Sequence, residues 1–264
     1  MSLHLEIHGT GKSLLLIHGW GMHGGVWQPI LDQLVPDFSV HVVDLPGMGF
    51  SQSDSAGDLK VMADQVLATL PAGLKELNVC GWSLGGQVAM QMAVQQPDLI
   101  KRLVLIGTTP KFVNADDWQL GMDANIFKQF AQNINDDYQA TLMKFLSLQC
   151  MRAPDARHII KQLRESFAQR PVPSLDALQN ALDILLASDL RQQVKQVSQP
   201  TVVIHGDRDS LAPVNVARWL AAQLPSAQLL EISGASHAPF LSHTADFVQA
   251  LHAFLQPQMA EIHS

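Results

Sequence analysis

The sequence predicts an α/β fold, with a mostly parallel central sheet flanked by helices and interrupted by an inserted helical segment. Three observations predict it. Short apolar runs alternate with helical patterns in the first and last parts of the chain; the middle holds no convincing strand; and a Gly-x-Ser-x-Gly pattern sits where one apolar run gives way to a helix.

Ser13 to His18 reads as a buried strand, Val26 to Leu34 as a helix, and Phe38 to Val43 as a second strand running into Asp44-Leu45-Pro46-Gly47. Leu59 to Leu70 is helical, Leu77 to Gly81 is a strand, Leu84 to Gln95 a helix and Lys101 to Gly107 a strand. Strands that alternate with helices run parallel, because each crossover uses a helix to carry the chain back. Unbroken apolar runs mark strands covered on both faces. Residues 111–188 then carry four helical patterns, around Met122 to Ile134, Asp136 to Leu148, Asp155 to Ala168 and Ser174 to Ala187, punctuated by Asn, Asp and Pro. The alternation resumes with a strand at Thr201 to His205, a helix near Val214 to Ala222, a strand at Gln228 to Ile232 and a last helix at Thr244 to Leu255. The expected division is a core of 1–110 and 189–264 with a helical insertion, 111–188, over the carboxyl edge of the sheet, where such sheets bind ligands.

A chain of 264 residues, 47% hydrophobic and 16% charged, can bury a core without cross-links. Its net charge of −7 argues against general attraction to nucleic acid or to an anionic membrane. Two cysteines, Cys80 and Cys150, have no metal-ligand spacing and are too few for a disulfide framework. Met1 to Lys12 shows no secretory pattern, and no apolar run approaches the length that crosses a bilayer. A cytoplasmic monomer is expected.

Gly81-Trp82-Ser83-Leu84-Gly85 fits a nucleophile elbow, in which a sharp strand-to-helix turn pushes the serine forward and small neighbours let the turn close. The helix that follows aims free N–H groups and a positive dipole end at the reacting centre. A serine hydroxyl needs a base, and the base a carboxylate to hold it. Among eleven histidines, His237 has the right place, in the loop Gly234 to Pro239 between the last strand and the last helix. His205, ending a strand, reads as a packing or loop residue, and His18 as structural. The acid lies in Gly206 to Pro213, where Asp207 and Asp209 compete; Asp209 is favoured, four residues before Pro213 and the helix it opens. The oxyanion donors expected are the N–H of Leu84 and, from the loop after the first strand, the N–H of Trp20. Gly19 to Gly24 also matches a dinucleotide fingerprint, with Asp44 about 20 residues later. Bulky Trp20, Met22 and His23 oppose that reading, since the backbone must there approach a pyrophosphate.

Lys144 to Arg170 carries six basic residues, Lys144, Arg152, Arg157, Lys161, Arg164 and Arg170, against two acidic ones. Arg157, Lys161 and Arg164 share one helical face. A basic face on an acidic body suits an acidic protein partner. Phe127, Phe130, Phe145 and Leu148 read first as packing residues, some of which face the cleft if the insertion is a lid.

His18-Gly19-Trp20-Gly21, Asp44 to Ser51, Gly81 to Gly86 and Ser236-His237-Ala238-Pro239-Phe240 resemble the α/β-hydrolase superfamily. With Phe145-Leu146-Ser147-Leu148-Gln149 they are similar, more narrowly, to the pimeloyl-[acyl-carrier protein] methyl ester esterases of biotin synthesis. The resemblance implies a carboxylesterase that cleaves a pimeloyl methyl ester held on acyl carrier protein, acts on small esters, and requires no metal or organic cofactor. It further implies that Trp20, Leu84, His237 and the stretch Phe145, Leu146, Ser147, Leu148 and Gln149 contact the acyl group. The carrier is expected to dock on Lys144, Arg157, Lys161 and Arg164. The alternatives are a broad small-ester carboxylesterase, a carbon–carbon bond hydrolase, or a binding module without catalysis on the same fold.

Overall fold

The computed structural model describes residues 3–52, 57–136, 140, 141, 144, 145, 147 and 156–256. Seven strands form one sheet: β1 (Leu5–His8), β2 (Lys12–Ile17), β3 (Phe38–Val43), β4 (Leu77–Trp82), β5 (Ile100–Ile106), β6 (Thr201–Gly206) and β7 (Ala227–Ile232). Their order is β1-β3-β2-β4-β5-β6-β7, with β1 antiparallel to β3 and every other pair parallel. The sequence reading had six of these strands and lacked β1. Leu-Glu-Ile-His is short and only half-buried at the sheet edge, so it carries neither the long apolar run nor the clean alternation that marks a strand.

The helices bounded within the described residues are α1 (Gln28–Leu34), α2 (Leu59–Thr69), α3 (Leu84–Gln95), α4 (Ala124–Asp136), α5 (Ala156–Phe167), α6 (Leu175–Ala187), α7 (Val214–Gln223), α8 (Pro239–Ser242) and α9 (Thr244–Leu255). Their starts follow local chemistry. Asp58 accepts the N–H of Val61 at the head of α2, and Ser174 accepts that of Ala177 at the head of α6. α1 packs with α9, α2 with α3, and α7 against β6 and β7. β4 is buried along its whole length, the signature of a strand covered on both faces.

The chain runs from β2 outward to β3 and then returns past β2 to β4. Right-handed crossovers on the two sides of that reversal put their helices on opposite faces, and they leave a crevice at the carboxyl ends of β2 and β4. The core includes Leu14 to Ile17, Val79, Cys80, Leu103 to Ile106, Val203 and Ile204, all fully buried. Burial pushes the Cys80 thiol far up, so it is inert. Cys150 lies outside the described residues.

Between β5 and β6 the described residues include α4, α5 and α6, a 3-10 turn at Gln193–Gln196 and two isolated bridges, Val113 with Met122 and Ala115 with Trp118; the helix expected around Asp136 to Leu148 lies largely outside the described residues. The start and end of this excursion are clamped together. Lys111 Nζ lies 2.9 Å from Asp189, and Arg191 binds both Asp189 and Asp117. No helix among the described residues is long and apolar enough to cross a membrane.

Candidate active site

β4 ends at Trp82 and α3 begins at Leu84, so a single residue makes the turn. Ser83 has φ 56° and ψ −116°, and it is the only non-glycine with positive φ among the described residues. That geometry is strained for an L-residue, and the surroundings hold it. Ser83 N–H donates to Ile106 O (2.9 Å), and its carbonyl accepts from Thr108 Oγ1 (2.7 Å) and the Gly86 N–H (3.0 Å). The turn closes only around glycine: a Cβ at Gly81 would stand 2.2 Å from Gly85 O. As the first residue of α3, Leu84 carries an N–H without an intrahelical acceptor.

The loop after β2 lies against this turn. A Cβ at Gly19 would stand 3.2 Å from that of Ser83. Trp20 is buried under the excursion, donating Nε1–H to Leu178 O of α6 (3.0 Å). Phe130 of α4 and Phe145 meet its ring edge-on, at 5.3 and 4.9 Å between centroids. Two of the expected packing residues therefore form an aromatic cluster on Trp20. Ser147 and Lys144 are also described, half-buried and exposed respectively. Leu146, Leu148, Gln149 and Arg152, and the side chain of Phe127, lie outside the described residues.

The two competing aspartates separate in space. Asp207 accepts the N–H of Gly234 (2.7 Å) and lies 3.3 Å from Ser233 Oγ, fastening the turn after β7. Asp209 is buried, and its two oxygens divide their partners. Oδ1 accepts the N–H groups of Leu211 (2.8 Å) and Ala212 (2.9 Å), while Oδ2 accepts from His237 Nδ1 (2.8 Å). Burial opposes the charge on Asp209, but the neighbouring His237 and His205 overcome it and hold the carboxyl well below the usual range. The loop of His237 is fixed from beneath. Trp82, the residue before Ser83, donates Nε1–H to His237 O (2.9 Å), with ring centroids 5.7 Å apart. Gly107 at the end of β5 leaves room for the imidazole: a Cβ there would stand 3.1 Å from His237 Nδ1. Ser83, Asp209 and His237 are all less than 7% exposed.

Three residues behave differently from the sequence reading or sharpen it. His205 is not mere packing: Nε2 lies 2.6 Å from Ala212 O and 3.4 Å from Asp209 Oδ2. Its spacing four residues before Asp209, at a strand end, was the signal available. His18 is structural in a specific way. Nε2 accepts the Leu45 N–H (2.9 Å), so Nδ1 carries the proton it gives to Gly19 O (2.8 Å). Burial, partly offset by Asp44, lowers its pKa to about 4 and keeps it neutral. Arg170, counted among the six basic residues of the segment, is withdrawn from solvent. Its guanidinium is buried between Asp44 Oδ2 (2.7 Å) and Glu6 Oε1 (2.8 Å) and sits 5.1 Å over the Phe50 ring. Asp44 also accepts the N–H of Gly24 and of Phe50. It ties loops together and is not free to hold a ribose, so the dinucleotide pattern has no counterpart here. Arg157, Lys161 and Arg164 are exposed along α5, opposite its buried Ile159, Leu163 and Phe167, and Lys161 lies 3.6 Å from Glu165.

Residues 12–244 match the family model of the alpha/beta hydrolase fold. A pimeloyl-[acyl-carrier protein] methyl ester esterase of Nitrosomonas europaea is 40% identical over 252 residues, covering 96% of this chain and 99% of that protein. Those of Aliivibrio salmonicida (39%, 97% and 97% covered) and Chromobacterium violaceum (40%, 98% and 100% covered) are similar to the same degree. Among solved structures, an esterase of Exiguobacterium antarcticum has a TM-score of 0.88 at 20% identity. A bromoperoxidase of Bacillus anthracis has 0.87 at 24%; each covers 96% of this chain and 95% of its own. At those identities the structures speak for the fold alone. With an elbow serine, a paired aspartate and histidine and full-length likeness to those three proteins, the chain belongs to the α/β-hydrolase family and, within it, to the pimeloyl-[acyl-carrier protein] methyl ester esterases.

Proposed function

We propose that the chain is a serine carboxylesterase that hydrolyses the methyl ester of a pimeloyl group carried on acyl carrier protein, a step of biotin synthesis. The observation that carries the chemistry is the 2.8 Å bond between Asp209 Oδ2 and His237 Nδ1, beside a serine held in a strained, forward-facing turn. The relatives' shared name carries the substrate.

In this reading Ser83 Oγ attacks the ester carbonyl and His237 Nε2 takes its proton. The N–H groups of Leu84 and Trp20 receive the oxyanion, each worth about 3 kcal/mol in the transition state. The bond to the methoxy oxygen breaks, His237 returns the proton, and methanol leaves. Water then attacks the acyl-enzyme by the same route and frees the carboxylate. Asp209 fixes the imidazole tautomer and stabilises the imidazolium. Its depressed pKa keeps it ionised throughout the neutral range.

Residues 111–188 act as the lid over this site. The apolar cluster of Trp20, Phe130 and Phe145 suits an aliphatic acyl chain. The exposed Arg157, Lys161 and Arg164, with Lys144, form the carrier-docking face. The enzyme acts as a cytoplasmic monomer. The test compares kcat/KM on pimeloyl-carrier methyl ester and on p-nitrophenyl esters, in the native chain and in Ser83→Ala. The native chain should turn over both and the variant neither, while staying folded. Full activity in Ser83→Ala would remove the serine, and no turnover of the carrier ester would remove the substrate.

A further inference from the structure

We infer that His205 is a positioning residue for the Asp209–His237 pair. Its Nε2–H, shared between Ala212 O and Asp209 Oδ2, pins the acid loop to the end of β6 and draws on the same oxygen that orients His237. The inference rests on the esterase reading above.

The geometry is specific. His205 is the next-to-last residue of β6, between β5 and the edge strand β7, with its side chain fully buried. Nε2 is 2.6 Å from Ala212 O, and the Ala212 N–H in turn donates to Asp209 Oδ1 (2.9 Å). One imidazole therefore grips the loop by its backbone while standing 3.4 Å from the carboxylate oxygen that His237 uses. A space-filling role would suit an apolar side chain better, because Nδ1 of His205 is buried without a partner among the described residues. A buried unpartnered nitrogen costs about 1–3 kcal/mol. Nε2 presents its hydrogen in the neutral ring of this tautomer and in the cation alike, so the contact does not depend on His205 being charged.

The charges around His205 are few. Asp209 touches it and His237 shares that carboxylate. Glu231 lies opposite on β7, engaged by Arg218. β5 contributes only Ile106 and Gly107, which do not titrate. Removing the Nε2–H leaves more negative charge on Oδ2 facing His237, which favours the imidazolium over the neutral base that the reaction needs. Loss of a positive charge at His205 would act in the same direction.

The experiment measures kcat and kcat/KM for a p-nitrophenyl ester against pH, in the full chain. The variants are His205→Phe, which keeps a ring and loses the donor, and His205→Gln, which keeps an N–H at similar reach. The expected result for His205→Phe is an acid limb moved up by about half a pH unit and kcat lowered about tenfold, with KM nearly unchanged. His205→Gln should restore the limb. If His205→Phe does not fold, His205→Asn, whose amide stops about one bond short, takes its place with the same expectation. A profile that superposes on the native one, whatever the thermal midpoint, overturns the inference, as does a Gln variant no better than Phe. Ser83→Ala run alongside separates the two claims: activity there defeats the esterase reading, whereas its loss together with an unmoved limb in the His205 variants defeats only this one.

Discussion

Asp209→Asn is a small change in shape with a large expected effect, because the two oxygens of this carboxylate do different jobs. Oδ1 receives two backbone N–H groups and Oδ2 receives the imidazole N–H. Asparagine has one acceptor oxygen, so it must choose. Turned toward His237, its NH2 would face the N–H groups of Leu211 and Ala212, losing two buried hydrogen bonds at about 1 kcal/mol each. Turned toward the backbone, its NH2 faces His237 Nδ1. A peptide N–H cannot move its proton but an imidazole can, so the second orientation wins. His237 then carries its proton on Nε2, the nitrogen that must receive the one from Ser83. A wrong tautomer of this kind lowers kcat by about 10⁴, or about 5.4 kcal/mol. The fold should be kept, since the two backbone bonds survive, with a lowered thermal midpoint because the NH2 now meets the Nε2–H that His205 directs at Oδ2. The assay is p-nitrophenyl ester hydrolysis at neutral pH beside Asp207→Asn, which should remain near native because Asp207 only fastens Gly234 and Ser233. A loss below tenfold in Asp209→Asn, or a larger one in Asp207→Asn, would refute the reasoning.

Ser83→Gly should raise unfolding stability by about 1 kcal/mol while abolishing activity, since glycine adopts φ 56°, ψ −116° without strain; calorimetry showing destabilisation would contradict the strain. Arg170→Met should cost about 3 kcal/mol in urea unfolding, because it leaves the buried Asp44 charge without its cation and with only the Gly24 and Phe50 N–H groups, while the half-buried Glu6 loses little; a cost under 1 kcal/mol would mean the buried pair does not anchor this segment. His18 folds with its pKa lowered to about 4 from an ordinary 6.5, so the unfolded chain binds more protons between those values. Its contribution is therefore present above pH 6.5 and lost as pH falls toward 4, with the lowered His23 and His41 acting in the same direction. The slope of unfolding free energy against pH in that window should flatten in His18→Asn. Charge reversal of Arg157 and Lys161 to Glu should lower kcat/KM on the carrier-bound ester at least about tenfold at low salt and leave p-nitrophenyl esters unchanged; equal effects on both substrates would dismiss the docking face.

What the sequence by itself determined was what local periodicity and turn chemistry can encode. The apolar runs of β2 to β7, the helices between them and the elbow glycines are readable because each depends on neighbours within about ten residues. Even α4, α5 and α6 lie within two residues of the helical patterns that announced them. The choice of Asp209 leaned on its distance from Pro213, but only the fold brings the loops after β6 and β7 together, through Arg208 N–H on Ala235 O (2.9 Å) and Asp209 on His237. Only the tertiary structure, likewise, buried Arg170 against an aspartate 126 residues away in the chain, gave His205 its place under the acid, and added β1 to the sheet. In each case the partner that defines the residue is remote in sequence. A charge pattern cannot say which arginine will be desolvated, nor a half-buried tetrapeptide which edge it will pair with, until the strands that supply those partners have assembled.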